Sequence, residues 1–171
     1  MVIELLKIVL PSIFVFLAGY LAIERLLREE TKRRKAELTQ NNQKITIPVR
    51  LQAYERLVLF LERISPESLL IRVNQPNLTN KKLQSKLLQN IRAEWEHNLS
   101  QQLYVSHNAW ELVKNAKANV IKLINTCSDK LPPDAPSIKL TQMVLETMVE
   151  LDTHPTNIAV EFLKKEVKNI F

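Results

Sequence analysis

Glu94 and His97 stand three residues apart, a spacing that sets a carboxylate and an imidazole on one face of a helix. Di-iron helical bundles use two such pairs plus two further glutamates from facing helices. The second pair is missing here: Tyr104 precedes His107 by three residues, and Leu151 precedes His154 by three. Glu94 and His97 are therefore read as part of a charged helix face, with His97 near the helix end, where a cation is mildly favoured. His107 falls at a helix start and is read as a neutral surface histidine, and His154, before Pro155, as a turn residue. Ser100 or Ser106 would need a strained elbow and a positioned base to act as a nucleophile; Ser106 is better explained as a helix cap. Cys127 lies on an apolar stripe and is read as a buried structural thiol. Trp95 and Trp110 occupy core spacing, without the interleaved cations of a base-stacking surface. No catalytic residue, metal site or cofactor is expected, and the chain is not expected to be an enzyme.

Composition narrows the classes further. The chain has 171 residues, 46% hydrophobic and 25% charged, which suits about one domain. It holds a single Gly, against an average usage of about 7%. Sheets need Gly at hairpins and bulges, so an all-α fold is expected. The same count removes the P-loop and the dinucleotide fingerprint. One Cys excludes an intramolecular disulfide framework and a cysteine zinc cluster.

The most informative segment is the first. Ile8 to Ile23 (IVLPSIFVFLAGYLAI) carries no charge. Sixteen helical residues span about 24 Å, short of the roughly 30 Å hydrocarbon core. Extending the helix back to Val2 reaches that length by including Glu4 and Lys7, which lie three apart and can pair and snorkel. Pro11 sits where it would kink the helix, and membrane helices tolerate Pro. A cleaved signal peptide, a helix buried in a soluble core and an uncleaved single-pass anchor compete for this segment. The signal reading lacks a positive charge ahead of the apolar run and a good small-x-small site. The anchor is the expected reading.

The flanks give the orientation. Residues 24–35 (ERLLREETKRRK) hold six Lys or Arg against three acids, whereas only Lys7 and the amino terminus lie on the other side. The positive-inside rule then puts the N-terminus outside and residues 24–171 in the cytoplasm. Of the net charge of +6, half belongs to this collar and half to residues 36–171. Arg25, Arg28, Lys32, Arg33, Arg34 and Lys35 are accordingly the candidate contacts to lipid headgroups, worth about 1 kcal/mol each near an anionic surface. The remaining charge is too diffuse to imply nucleic acid, and none is expected.

Four parts are expected: a transmembrane anchor at 1–23, a basic juxtamembrane helix at 24–38, a linker at 39–47 (TQNNQKITI) and a cytoplasmic helical domain at 48–171. In that domain Pro48 would open a helix with Leu51, Tyr54, Leu57, Val58, Phe60, Leu61 and Ile64 on its apolar face. Ser65-Pro66-Glu67 reads as a restart for a short helix at 66–73. Thr79 would cap a helix bearing Leu83, Leu87, Ile91, Trp95 and Leu99, and Leu103-Tyr104-Val105 reads as extended. Ser106 would cap a helix carrying Ala109, Val113, Ala116, Val120, Leu123 and Cys127. LPPDAP at 131–136 is a turn, a helix follows from Ser137 to Leu151, and the last runs from after Pro155 to about Ile170. That makes a compact bundle of about five helices. Lys114, Lys117 and Lys122, with Asn115 and Asn119, form the candidate face for an acidic partner.

The segments QAYERLVLFLERISPESLLIRV and EWEHNLSQQLYVSHNAWELVKNAK, with the ending EFLKKEVKNIF, resemble a bacterial family of uncharacterised proteins with one N-terminal membrane helix and a helical cytoplasmic part. The likeness covers nearly the whole chain. Members often carry acids after the Ser of the YVS segment, where His107 and Asn108 stand here. The resemblance implies the architecture and no activity. The expected function is a membrane-anchored scaffold or adaptor presenting an interaction domain at the cytoplasmic face. Its partners would be membrane lipid and either an unidentified protein or further copies of itself. The alternatives are a self-assembling structural membrane protein and a non-catalytic ligand-binding module.

Overall fold

A computed structural model describes the backbone of residues 2–151 and 154–169, and the side chains of 16, 17, 19–41, 43–151 and 154–169. Regular structure in these residues is helical throughout: α1 (Val2–Ile64), α2 (Pro66–Val73), α3 (Asn80–Asn98), α4 (His107–Asp129), α5 (Ser137–Glu150) and α6 (Asn157–Lys168), with a 3-10 turn at Leu99–Leu103. The chain divides into two compact units, Met1–Thr46 and Ile47–Phe171.

The first correction concerns residues 39–47. Expected as a linker, they are helical, and Pro48 lies inside α1 instead of opening a new helix. The segment contains no Gly, and Thr39 Oγ1 donates back to the Lys35 carbonyl at 2.9 Å, a bond made within a helix. Pro48 removes one amide donor from the ladder, and the division between the units falls just before it, between Thr46 and Ile47.

Among the described residues, no helix is long and apolar enough to cross a membrane. Of the expected span, only Phe16, Leu17 and residues 19–23 have described side chains. Glu4, Lys7 and Ile170 lie outside the described side chains, and Asp152 and Thr153 outside the described backbone.

The core belongs to the second unit. Leu57, Leu61 and Ile64 of α1 are fully buried, as are Leu69 of α2, Leu83, Leu87 and Ile91 of α3, and Val113 and Val120 of α4. Leu140 and Val144 of α5 and Leu163 of α6 complete the cluster. α4 packs against α3, α5 and α6, and α2 closes over α3 and α5. The 3–4 spacing of apolar residues produces this, because each helix has one continuous stripe to bury. On α4 the expected positions Ala109, Val113, Ala116, Val120 and Cys127 are buried; at the sixth, Ile124 is buried and Leu123 only half-buried.

Two expected caps form. Thr79 Oγ1 accepts from the Lys82 amide at 3.4 Å and Ser106 Oγ from the Ala109 amide at 3.1 Å. Ser65 does not cap α2; its hydroxyl donates back to the Glu62 carbonyl at 2.8 Å, and α2 relies on Pro66 at its first turn. Residues 103–105 are not extended. Leu99, expected on the α3 ladder, opens the 3-10 turn and Leu103 closes it; Tyr104 then lies in a turn, its amide donating to the Gln101 carbonyl at 3.0 Å, and Val105 in a bend.

The start of α3 is locked to the turn at 131–136. A helix start leaves its first amides without partners; here Asn80 N–H donates to the Ala135 carbonyl at 2.7 Å and Lys81 N–H to the Pro133 carbonyl at 3.2 Å. In the other direction the Ser137 amide donates to the Leu78 carbonyl at 2.9 Å.

Candidate functional site

The six collar cations are all exposed on α1, but the helix divides them. Arg28 pairs with Glu24 at 2.5 Å, Arg34 with Glu30 at 2.8 Å and Arg33 with Glu37 at 3.2 Å, each four residues apart. Such pairs contribute only about 0.2–0.5 kcal/mol each, and the first two have the favourable order with Glu nearer the N-terminus. Arg25, Lys32 and Lys35 make no ion pair among the described residues. At 3.6 residues per turn they fall with Arg28 in an arc of about 80°, so one side of the collar is richest in available positive charge. Ahead of it stand Phe16, Leu17, Tyr20, Leu21 and Ile23, and within it Leu26 and Leu27, large apolar side chains that are each at least half exposed.

The expected lysine face on α4 is not assembled as three free cations. Lys114 pairs with Glu111 at 2.9 Å, a contact that holds the Glu111 carboxyl below its usual range. Lys117 folds over the Trp95 ring, with Nζ at 3.8 Å from the centroid. Burial there, then the nearby Lys114 charge, lowers the Lys117 pKa. Lys122 is exposed, about 140° around the helix from Lys117. Trp95 is the hinge of this surface. It stacks on Trp110 with centroids 4.8 Å apart and tilts against Phe60 at 5.6 Å, tying α1, α3 and α4.

Glu94 pairs with arginines and not with His97. Its carboxylate receives Arg63 at 2.6 Å and lies 3.6 Å from Arg72, so it bridges α1, α2 and α3. The His97 ring nitrogen Nδ1 instead lies 2.6 Å from the Ala93 carbonyl. Among the described residues no group of three or more His, Cys, Asp or Glu is placed to hold a metal ion. Cys127 is buried, with its sulfur 3.6 Å from Thr147 Oγ1.

One concavity of the second unit was missed by the sequence reading. A groove of about 670 Å³ runs between α1 and α6. Leu51, Tyr54, Val58 and Leu59 line it from α1, and Leu163 and Val167 from α6. Glu55 and Glu62 edge the α1 wall, while Glu161, Lys164, Lys165 and Lys168 edge the α6 wall. The apolar α1 stripe was legible, but the sequence had assigned all of it to the core.

At one end of the groove a polar cluster is left unfinished. The Tyr54 hydroxyl is buried with no hydrogen-bond partner, as is Glu166 Oε2. Arg50 and the Ser106 backbone lie near the phenol without closing a bond in good geometry; Arg50 Nε donates to the Tyr104 carbonyl at 3.1 Å instead. Burial, reinforced by the Glu166 charge, pushes the Tyr54 pKa up. Above pH 10 the unfolded state therefore loses the phenol proton first, and stability falls as pH rises toward the folded-state pKa. Tyr54→Phe is expected to stabilise the protein by about 1 kcal/mol at neutral pH, because it deletes an unsatisfied buried hydroxyl. It should also remove that part of the alkaline loss. Urea unfolding at pH 7 and pH 10.5 checks both, and a destabilised Phe variant would show that the hydroxyl is in fact bonded.

These features define an all-helical protein with a helical bundle and a separate, cation-rich N-terminal helical unit. Over residues 1–170 the chain matches the model of a family of unknown function, DUF7935, and it belongs to that family. No curated protein and no solved structure matches it.

Proposed function

We propose that this protein is a single-pass protein of the bacterial cytoplasmic membrane, with its N-terminus outside and its helical bundle presented in the cytoplasm as a scaffold or adaptor. The observation that carries the reading is the succession along α1 of exposed Phe16, Leu17, Tyr20, Leu21 and Ile23, then the basic collar. Apolar side chains this exposed need an apolar cover, and the charge-free run they end, Ile8–Ile23, is the natural segment to sit in lipid. Arg25, Arg28, Lys32 and Lys35 then meet the anionic headgroups. The bundle supports the interaction role with apolar side chains left outside its core, among them Ile71 on α2 and Val149 on α5, 86% and 87% exposed. Tethering raises the effective concentration of such a surface without any new contact.

Membrane fractionation tests the reading. The full chain is expected to stay in the pellet after a carbonate wash. A Leu10→Arg, Leu17→Arg chain should move to the supernatant, since each central Arg costs about 2.5–3.5 kcal/mol of insertion. Recovery of the unmodified chain in the supernatant would overturn the anchor.

A further inference from the structure

The walls of the α1–α6 groove carry opposite charge. The α1 wall has Glu55 and Glu62 and no cation, a charge of −2; on the α6 wall three lysines less Glu161 leave +2. Among the described residues no ion pair joins the walls, and Lys164 binds Glu161 on its own helix at 2.9 Å. Between the walls the floor is apolar, and Leu59 projects from it 57% exposed. The lining residues of α1 run from Leu51 to Glu62, about 17 Å of helix, so the groove follows the α1 axis.

From this we infer that the groove is a self-association surface, and that its occupant is the same groove of a second copy. A two-fold axis along the groove turns the copy so that its acidic α1 wall faces the basic α6 wall of the first, and the reverse. Both halves of the interface are then attractive, as an isologous dimer requires. Leu59 of each copy is covered by the other. That axis leaves the two α1 segments running in the same direction, with both chains entering their units at Ile47 on the same side. Two chains tethered to one membrane need that arrangement; in this respect alone the inference rests on the proposed anchor. Rotation about an axis across the groove would instead face acid with acid and oppose the chains.

Charge exchange tests this on the full chain in detergent, with the mass of the protein component followed by sedimentation. The wild type is expected to dimerise. Glu55→Lys with Glu62→Lys, and separately Lys165→Glu with Lys168→Glu, should each raise the dimer dissociation constant at least about tenfold, since like charges then face each other. Mixing the two variants should restore dimers, because each wall again meets its opposite. All four positions are exposed, and circular dichroism confirms that the variants are folded. A monomeric wild type, variants that dimerise as the wild type does, or variants that stay apart when mixed would each overturn the inference. Carbonate extraction of the same variants reads the anchor independently and is expected to be unchanged.

Discussion

Asn80→Ala is expected to lower the unfolding free energy by about 3 kcal/mol, the cost of leaving several buried polar groups unmatched. Asn80 is 1% exposed. Its amide nitrogen donates toward the carbonyls of Ser128, Leu131 and Pro132 at 3.0, 3.3 and 3.2 Å, and its oxygen accepts from Ser128 Oγ at 2.9 Å. Three acceptors on one side and a hydroxyl on the other fix which way the amide points. The turn at 131–136 contains Pro132, Pro133 and Pro136, which offer carbonyls but no amide hydrogens. The Asn80 amide answers Pro132, while the Lys81 amide answers Pro133 and the Lys139 amide answers Pro136. Asn80→Asp is expected to be at least as damaging, because it turns a carboxylate oxygen toward the same carbonyls. Urea midpoints of the full chain in detergent, with unchanged slope, read the difference. An Asn80→Ala variant within about 0.5 kcal/mol of wild type, the range of neutral surface changes, would contradict the account.

The second large effect is Trp110→Ala, for which about 3–5 kcal/mol is expected, the range for removing a large buried aromatic. Trp110 is 8% exposed and stacks on Trp95 with centroids 4.8 Å apart. Its loss opens a cavity under α4, frees Trp95 from its stack and weakens the seat of Lys117. The remaining Trp95 fluorescence should shift to the red as the ring gains water. Trp110→Phe keeps an aromatic surface and should cost clearly less. Equal losses for Phe and Ala would mean that the stack contributes nothing.

What could be read from the sequence follows from how local each signal is. Thr79 and Ser106 cap the amides three residues on, and the short helix Pro66–Val73 begins at its Pro. Those contacts lie within one turn of chain. The apolar ladders of α3 and α4 were legible for the same reason, since periodicity alone decides which face is buried. Residues 39–47 misled because polar and β-branched composition argues for a loop, whereas the helix preceding them needs only the absence of a breaker to continue. The contact of Lys117 with Trp95, 22 positions earlier and on another helix, has no local signal in the sequence. The Asn80 latch, the Arg63–Glu94–Arg72 bridge and the groove between α1 and α6 join segments 9 to over 100 residues apart, and no spacing rule reaches that far.

The central proposal is that the segment before the collar crosses the membrane, with the N-terminus outside and the bundle in the cytoplasm. Accessibility of single cysteines tests it most directly. In a Cys127→Ala background, a cysteine is placed at Ile3 or at exposed Glu67 of α2, and intact cells are treated with a membrane-impermeant maleimide. The account predicts labelling of Ile3→Cys in intact cells and of Glu67→Cys only after lysis. Labelling of Glu67→Cys in intact cells, or of Ile3→Cys only after lysis, would contradict it.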